Sequence, residues 1–553
     1  MPFDSNNEIY VDNAATTSMS KDVLDAMLPY FSSNYGNPSS LYSLAQISRD
    51  AVELSRETIS NILNCKPSEI VFNSGGTESD NLAIIGVSKA LESTGKHLIT
   101  SKIEHHAVMH AMEEMESLGF KVTYLNVDND GFVDLEQLDQ SITSETTLVS
   151  IMYANNETGA IQPIQEISQI IKKKSADLNR DIYFHTDAVQ AAGKLSLNVE
   201  ELGVDLMTIS GHKFYGPKGT GLLYLRKGVP MSPIILGGGQ ERQRRSGTEN
   251  VPGIVGLAKA LEIADLSKNN FNEHCNKLIN FIREKLSSFK YSNYIVTPKE
   301  NSLSNILNVC FKNFEGEPIL IGLDMAGICA SSGSACSSAS LEPSHVLIAQ
   351  GIDPKLAVGS IRISLSLENT EGDIKYLVEN LESVVSELSV YAKSWMKFIR
   401  NNLLLFTSIF FVIASFLISV TIIFQPFNST EDLYVSGRTL FIKLNQPEQL
   451  QEFSNDSSKI ISINAEVINA ASGEILLLIN DQSADLLSKD GYTYKPLNPN
   501  DINLNIEKPL WGSFKLSRNQ MVKGNLFFKV NKTFDPQTFE WKESDRVIIN
   551  FSQ

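Results

Sequence analysis

Short runs of apolar, β-branched residues recur along the first half of the chain, with helically spaced segments between them. "EIVFNSG" (69–75) reads as a strand ending in glycines, and "TESDNLAIIGVSKALES" (77–93) follows as a helix. "KHLITS", "KVTYLNV", "TLVSIMYAN", "DIYFHTDA" and "DLMTIS" are further short strands, separated by helices such as "IQEISQIIKKKSA". This alternation predicts an α/β unit, with a parallel-rich sheet and helices on both faces. In such sheets ligands sit beyond the carboxyl ends of the strands. After residue 428 the pattern changes. "TLFIKL", "KIISINAEVINA", "EILLLIN", "NLFFKVN" and "RVIINF" are β-branched runs punctuated by Asn, Asp, Gly and Pro. They predict a small antiparallel all-β domain, sandwich-like and immunoglobulin-like in outline.

Between these regions lies "LLLFTSIFFVIASFLISVTIIF" (403–424), without charge, Gly or Pro. As a helix it would be about 33 Å long, enough for a bilayer core. A soluble helix of this length keeps a polar face, so the stretch reads as one transmembrane helix. Three parts are therefore expected: 1–392 as the catalytic unit, 393–427 as a membrane anchor with flanks, and 428–553 as the β domain. Within the first, the large cofactor domain is expected at about 15–260, with a smaller domain built from both ends. Lys393, Lys397 and Arg400 precede the span, whereas "QPFNSTEDLY" after it carries two acids and no Lys or Arg. That asymmetry predicts a single-pass membrane protein, with the enzyme unit cytoplasmic and the C-terminal domain on the opposite side.

At 553 residues, 42% hydrophobic and 20% charged, the chain has ordinary globular composition and is too long for one core. A net charge of −17 argues against nucleic acid as a direct partner. The cysteines, Cys65, Cys275, Cys310, Cys329 and Cys336, are scattered and odd in number, which suits a reducing compartment better than a disulfide framework. No secretory signal opens the chain. The region 428–553 holds no Cys or His, so thiol and zinc roles there are unlikely and a binding or assembly module is expected.

Three strand ends carry the candidate chemistry. "SGGTESDN" offers Gly75 and Gly76 for close backbone approach, with Thr77 opening a helix and Asp80 at capping-box spacing. Amide groups at such a helix start can bind an anion, although a plain cap is the commoner use. "YFHTDAVQ" places Asp187 just past a strand and Gln190 three residues on. "SGHKFYGPKG" places Lys213 beside Ser210 and His212. "GPKGTG" follows a turn and leads into a strand, which excludes a dinucleotide loop. A phosphate cradle, a carboxylate and a lysine on one sheet edge are what pyridoxal 5′-phosphate requires.

With "VDNAATT", "YGNPSS", "EHHAV", "ANNETG", "RSGTEN", "SSGSACSSASLEPSHVL" and "IRISL" in order around these motifs, residues 8–390 resemble the cysteine desulfurases, the NifS/IscS-like members of the class V aminotransferase family. The resemblance implies a fold type I pyridoxal-phosphate enzyme that takes sulfur from L-cysteine, leaving L-alanine and a persulfide. It implies that Lys213 is the Schiff-base lysine, that His105 stacks on the ring and moves protons, and that Asp187 and Gln190 meet the ring nitrogen and hydroxyl. Gly76, Thr77, Ser210 and His212 would hold the phosphate, with Thr248 arriving from the second subunit of a homodimer. Asn156 and Arg362 would bind the substrate carboxylate, Asn156 also touching the cofactor. Cys336 would carry the persulfide to an iron–sulfur scaffold or another acceptor protein, with tRNA modification reached only indirectly. His106 and His110, spaced like a metal pair, read as structural, as do Cys65, Cys275 and Cys310; Cys329 reads as a buried strand end. No metal site is expected. Selenocysteine lyase, another aminotransferase and a membrane-tethered binding protein are the competing functions.

Overall fold

The computed structural model describes residues 8–332, 343–401, 433–436, 439–450, 458–471, 473–499, 509–518, 520–545 and 547–551. The chain divides into two compact units, Met1–Arg400 and Asn401–Gln553.

The first unit is built on a seven-stranded sheet: β1 (Ile70–Asn73), β2 (His97–Ser101), β3 (Lys121–Leu125), β4 (Thr146–Ser150), β5 (Tyr183–Asp187), β6 (Leu206–Ser210) and β7 (Gly221–Leu225). Their order is β1-β7-β6-β5-β4-β2-β3. Only β7 runs antiparallel to its neighbours. Strands β2, β4, β6 and β7 are buried along their whole length. That explains why they read as near-continuous runs rather than alternating ones: helices cover both faces. The first core joins Ile99, Val149, Phe184, Met207 and Leu222 to the N-terminal part of helix Val251–Ser287.

A second core lies in the same unit. Strands Asn293–Ile295, Ile306–Phe311 and Ser360–Ser364 form an antiparallel sheet. Val11, near the start of the chain, packs with Leu307, Ile361 and Leu381 in this core. The adjoining strand Ile9–Tyr10 pairs in parallel with Ile328–Cys329. The chain start is thus threaded into a region otherwise made of residues beyond 270, which places Asp12 near Arg362.

The second unit is all-β. Strand Ser458–Asn469 pairs antiparallel with Leu440–Leu444, Glu448–Leu450 and Met521–Asn531. Further antiparallel pairs join Ile475–Ile479 to Gly512–Leu516, and Ala484–Ser488 to Pro536–Trp541. Trp541, Phe528 and Phe539 are fully buried in its core, where alternate strand positions converge.

The expected single-pass membrane localisation, with its transmembrane helix and its C-terminal domain on the opposite side, is corrected. Among the described residues no helix is long and apolar enough to cross a membrane. The stretch 403–424 lies outside the described residues. Helix Glu371–Asn401, which runs toward it, buries Ile374, Leu377, Leu381 and Val385 along one stripe and exposes Glu379 and Glu382. That is the two-faced pattern of a helix packed on a protein core.

Candidate active site

The carboxyl ends of β1, β2, β4, β5 and β6 open onto one cavity of about 350 Å³. Gly76, Thr77, His105, Asn156, Asp187, Gln190, Ser210, His212, Lys213 and Arg362 all line it. Ten expected site residues, taken from five strand ends and the second core, therefore converge. Thr248 is not among the lining residues; it is exposed on its own chain. Cys336 lies outside the described residues.

The glycine turn after β1 takes a form that only glycine supports readily. Gly75 has φ 148° and ψ −175° and is the N-cap of helix Gly76–Asn81. A Cβ on Gly221 in neighbouring β7 would fall 2.6 Å from Gly75 Cα, so Gly221 too needs to be bare. The expected capping box is corrected here. The helix starts at Gly76, and its N-cap makes no side-chain hydrogen bond. Glu78, not Asp80, reaches back to accept from Ser74 N at 2.9 Å. Thr77 faces the cavity, and Asp80, 1% exposed, lines it as well.

Lys213 ends the short turn Gly211–Lys213 after β6. Its Nζ donates to the carbonyls of Ala14 and Ala15, each at 2.7 Å. Gln190 Nε2 also donates to Ala14 O, at 2.9 Å, so the "NAATT" segment ties the two together. Gln190 Oε1 is buried without a hydrogen-bond partner.

Asp187 closes β5, and its Oδ1 accepts from Val189 N at 2.8 Å. Burial pushes its carboxyl above the ordinary range, and the nearby Lys213 ammonium pulls back. Asp80 is pushed well above that range, by burial first and by Asp187 second. Beneath them His185 bridges Ser150 Oγ (2.8 Å) and Thr208 Oγ1 (3.0 Å), and burial lowers it to about 3, so it is neutral.

His105 is the N-cap of helix His106–Ser117, and its Nδ1 accepts from Ala107 N at 3.1 Å. Burial, then Lys213, lower it to about 4. The ring is therefore a neutral imidazole with Nδ1 engaged, suited to stacking. His212, lowered to about 4 by the same two causes, contacts Thr16 Oγ1 at 3.1 Å. His106 and His110 have ring centroids 5.3 Å apart, and His345 adds a third ring 4.9 Å from His106. Among the described residues no group of three or more His, Cys, Asp or Glu could hold a metal ion.

Arg362, on strand Ser360–Ser364, is 3% exposed. Its Nη2 donates to Asp12 Oδ1 at 2.7 Å and its Nη1 to Asn156 O at 3.0 Å, while Nε has no partner. Two residues that matter here were not picked out from the sequence, Asp12 and Glu104, and Asp80 reads there only as a cap. Glu104 accepts from Met152 N and Ser101 Oγ beneath His105, and burial raises it to about 8. Each lies inside a quoted motif, and that adjacency was the available signal.

The cavity fits pyridoxal phosphate in size and donor chemistry. An amine, a buried carboxylate, an unsatisfied amide oxygen and a glycine cradle stand around it. When bound, this cofactor supplies an aldehyde that condenses with amines and a ring that accepts electrons.

Comparison with known proteins gives the same reading. Residues 9–377 match the family model "Aminotransferase class-V". "Cysteine desulfurase IscS" of Dictyoglomus turgidum is 48% identical over 391 residues, 70% of this chain and 98% of that one. Its counterpart in Clostridium botulinum (strain Hall) is 47% identical over 403 residues, 72% of this chain and 99% of that one. Among solved structures, a "NifS-like protein" matches with a TM-score of 0.65 and 41% identity, covering 69% of this chain and all of that one. The NifS-like protein from Rickettsia africae matches with a TM-score of 0.61 and 32% identity, again over 69% of this chain and all of that one. The chain belongs to the class-V aminotransferases and, among these pyridoxal-phosphate enzymes, to the cysteine desulfurases.

Proposed function

We propose that residues 1–392 act as a cysteine desulfurase that takes sulfur from L-cysteine, releases L-alanine and loads a persulfide on Cys336. The observation that carries this reading is the convergence of Lys213, Asp187, Gln190, His105 and Arg362 on one cavity. Lys213 would hold the cofactor through its Nζ, and the cofactor would supply the carbonyl that takes the substrate amine. Asp187 would keep the ring nitrogen protonated, and Gln190 would meet the ring hydroxyl. Gly76, Thr77, Ser210 and His212 bind the phosphate. Arg362 and Asn156 orient the substrate carboxylate, Arg362 as a planar fork. Neutral His105 would stack on the ring and move protons there.

The Cys336 thiolate attacks the substrate sulfur. A sulfur–sulfur bond forms as the carbon–sulfur bond breaks, and that electron pair stays with the carbon skeleton that leaves as alanine. The other cysteines are poor candidates. Burial pushes the thiols of Cys65, Cys275 and Cys310 up to about 12, and Cys329 is raised as well. "SSGSACSSAS" surrounds Cys336 with small polar residues, suiting a thiol that must reach the substrate and then an acceptor. The acceptor is an iron–sulfur scaffold or another thiol protein.

The unit works as a homodimer in which Thr248 completes the partner's phosphate site. Supporting this, Leu28, Phe31, Tyr35, Leu41 and Tyr42 are exposed within one short segment, Leu41 at 97%. Residues 428–553 are a separate sandwich-like binding or assembly module, joined to the enzyme through 393–427.

The test is Cys336→Ala in the full chain. It should bind the cofactor and change spectrum with L-cysteine, yet form no persulfide by mass spectrometry. Sulfide release near the parent rate would remove Cys336 from the reaction and bring Cys329 forward.

A further inference from the structure

Glu241, Arg242 and Gln243 are three consecutive non-glycine residues in the left-handed region, at φ 46°, 58° and 66°. Such a run persists only where its surroundings over-determine it. Here the fixing element is the Glu241 side chain, 4% exposed. Its Oε1 accepts from Arg56 Nη2 at 2.8 Å, and its Oε2 from Arg56 Nη1 at 3.1 Å and from Phe72 N at 3.0 Å. Arg56, 3% exposed, also donates to Ile70 O at 2.7 Å and lies 4.6 Å from the centroid of the Phe72 ring. Ile70 and Phe72 belong to β1, the strand that ends in the Ser74–Thr77 cradle. A buried ion pair carries a desolvation cost that makes it weak grounds for stability, and its best-attested use is to fix one geometry.

What is fixed is the loop that follows. Arg245 Nε pairs with Glu78 Oε1 at 2.7 Å, tying the loop to the cradle helix. Ser246 Oγ donates to Gly238 O at 2.7 Å and closes the loop on itself. Asn250 then caps helix Val251–Ser287 through Gly253 N at 3.1 Å. Gly247 and Thr248, between these ties, are exposed. The loop is tied at its base, and Thr248, exposed, is not among the residues lining the cavity of its own chain.

We propose that Glu241, clamped by Arg56, is a positioning residue for the cofactor phosphate site of a second copy of this chain, because it freezes the loop that carries Thr248 across. This rests on the shared-site reading given above. Its consequence is specific. Damage to Glu241 should appear in the partner's cavity, whereas a purely structural role would damage the cavity of its own chain or both alike.

The experiment uses mixed dimers of full-length chains carrying different affinity tags, with Lys213→Ala on one chain so that a single competent lysine remains. Pyridoxal phosphate affinity and the absorbance of the lysine-bound cofactor are read by titration. Glu241→Gln on the chain opposite the intact Lys213 should weaken affinity about tenfold, roughly the loss of one charge-assisted hydrogen bond. On the same chain as the intact Lys213 it should change affinity less than about twofold. Thr248→Ala in the same two placements tests the underlying reading. If Thr248→Ala acts in trans but Glu241→Gln acts in cis, equally in both placements or in neither, the positioning role is overturned alone. If Thr248→Ala does not act in trans, the shared site falls and this role with it. Should Glu241→Gln fail to fold, Arg242→Val strains the same loop at an exposed position, because a β-branched residue tolerates φ 58° poorly, without uncovering a buried charge, and its defect must likewise appear in trans.

Discussion

Replacing Arg362 by Lys tests how the cavity holds a substrate carboxylate. The guanidinium is buried and already engaged by Asp12 at 2.7 Å and Asn156 O at 3.0 Å, with Nε unpartnered. A substrate carboxylate can gain the Nε hydrogen bond outright but must share Nη2 with Asp12, so the net gain is nearer one charge-assisted bond than two. At about 2–3 kcal/mol, its loss corresponds to roughly a 30- to 150-fold fall in kcat/KM. Lysine keeps the positive charge and can satisfy Asp12, so the fold should survive, but it lacks the planar fork. The assay is alanine release across a range of L-cysteine concentrations, with cofactor absorbance followed in parallel. The fall should lie mainly in KM while the resting absorbance stays as in the parent. Cysteamine, which is cysteine without its carboxylate, should perturb the cofactor spectrum of parent and variant with equal affinity within about twofold, because it has nothing for Arg362 to hold. A KM within threefold of the parent, or an equal loss with cysteamine, would refute the carboxylate assignment (the threefold margin is about 0.65 kcal/mol).

Lys213→Ala should abolish the yellow lysine-bound absorbance, and a retained band would overturn that assignment. Dimers mixed from Lys213→Ala and Thr248→Ala chains should recover one working site per dimer, since one site carries both defects and the other neither; stable mixed dimers with no recovery would refute the shared site. His185, lowered to about 3 by burial, is neutral in the folded protein, while the unfolded chain takes up its proton near pH 6.5. Its contribution is therefore present above pH 6.5 and lost as the pH falls toward 3. The urea midpoint of His185→Gln should change less over that interval than that of the parent, and parallel pH profiles would refute the reasoning.

The alternation of β-branched runs with 3.6-period segments determined the α/β class of the first unit, and alternation at period two determined the all-β character of the second. Both are local signals, written in neighbouring residues. The strand-end positions of Asp187 and Lys213 were legible for the same reason: ligand sites follow strand ends, and a strand's end is marked in its own sequence. The membrane expectation came from hydropathy alone, and the described helices do not carry it. Asp80 reads as a cap from its spacing but is buried against the cavity, because the helix takes Gly75 as its N-cap, two residues before Thr77. Tertiary structure decided the pairings across the chain. Arg362 meets Asp12 from 350 positions away, and Arg56 meets Glu241 from 185. No periodicity encodes such a partner. Burial removes water as the competing ligand, and each charge then has to find its opposite wherever packing brings one. The sequence determined which chemical groups stand at each strand end, and only packing decided which of them share one cavity.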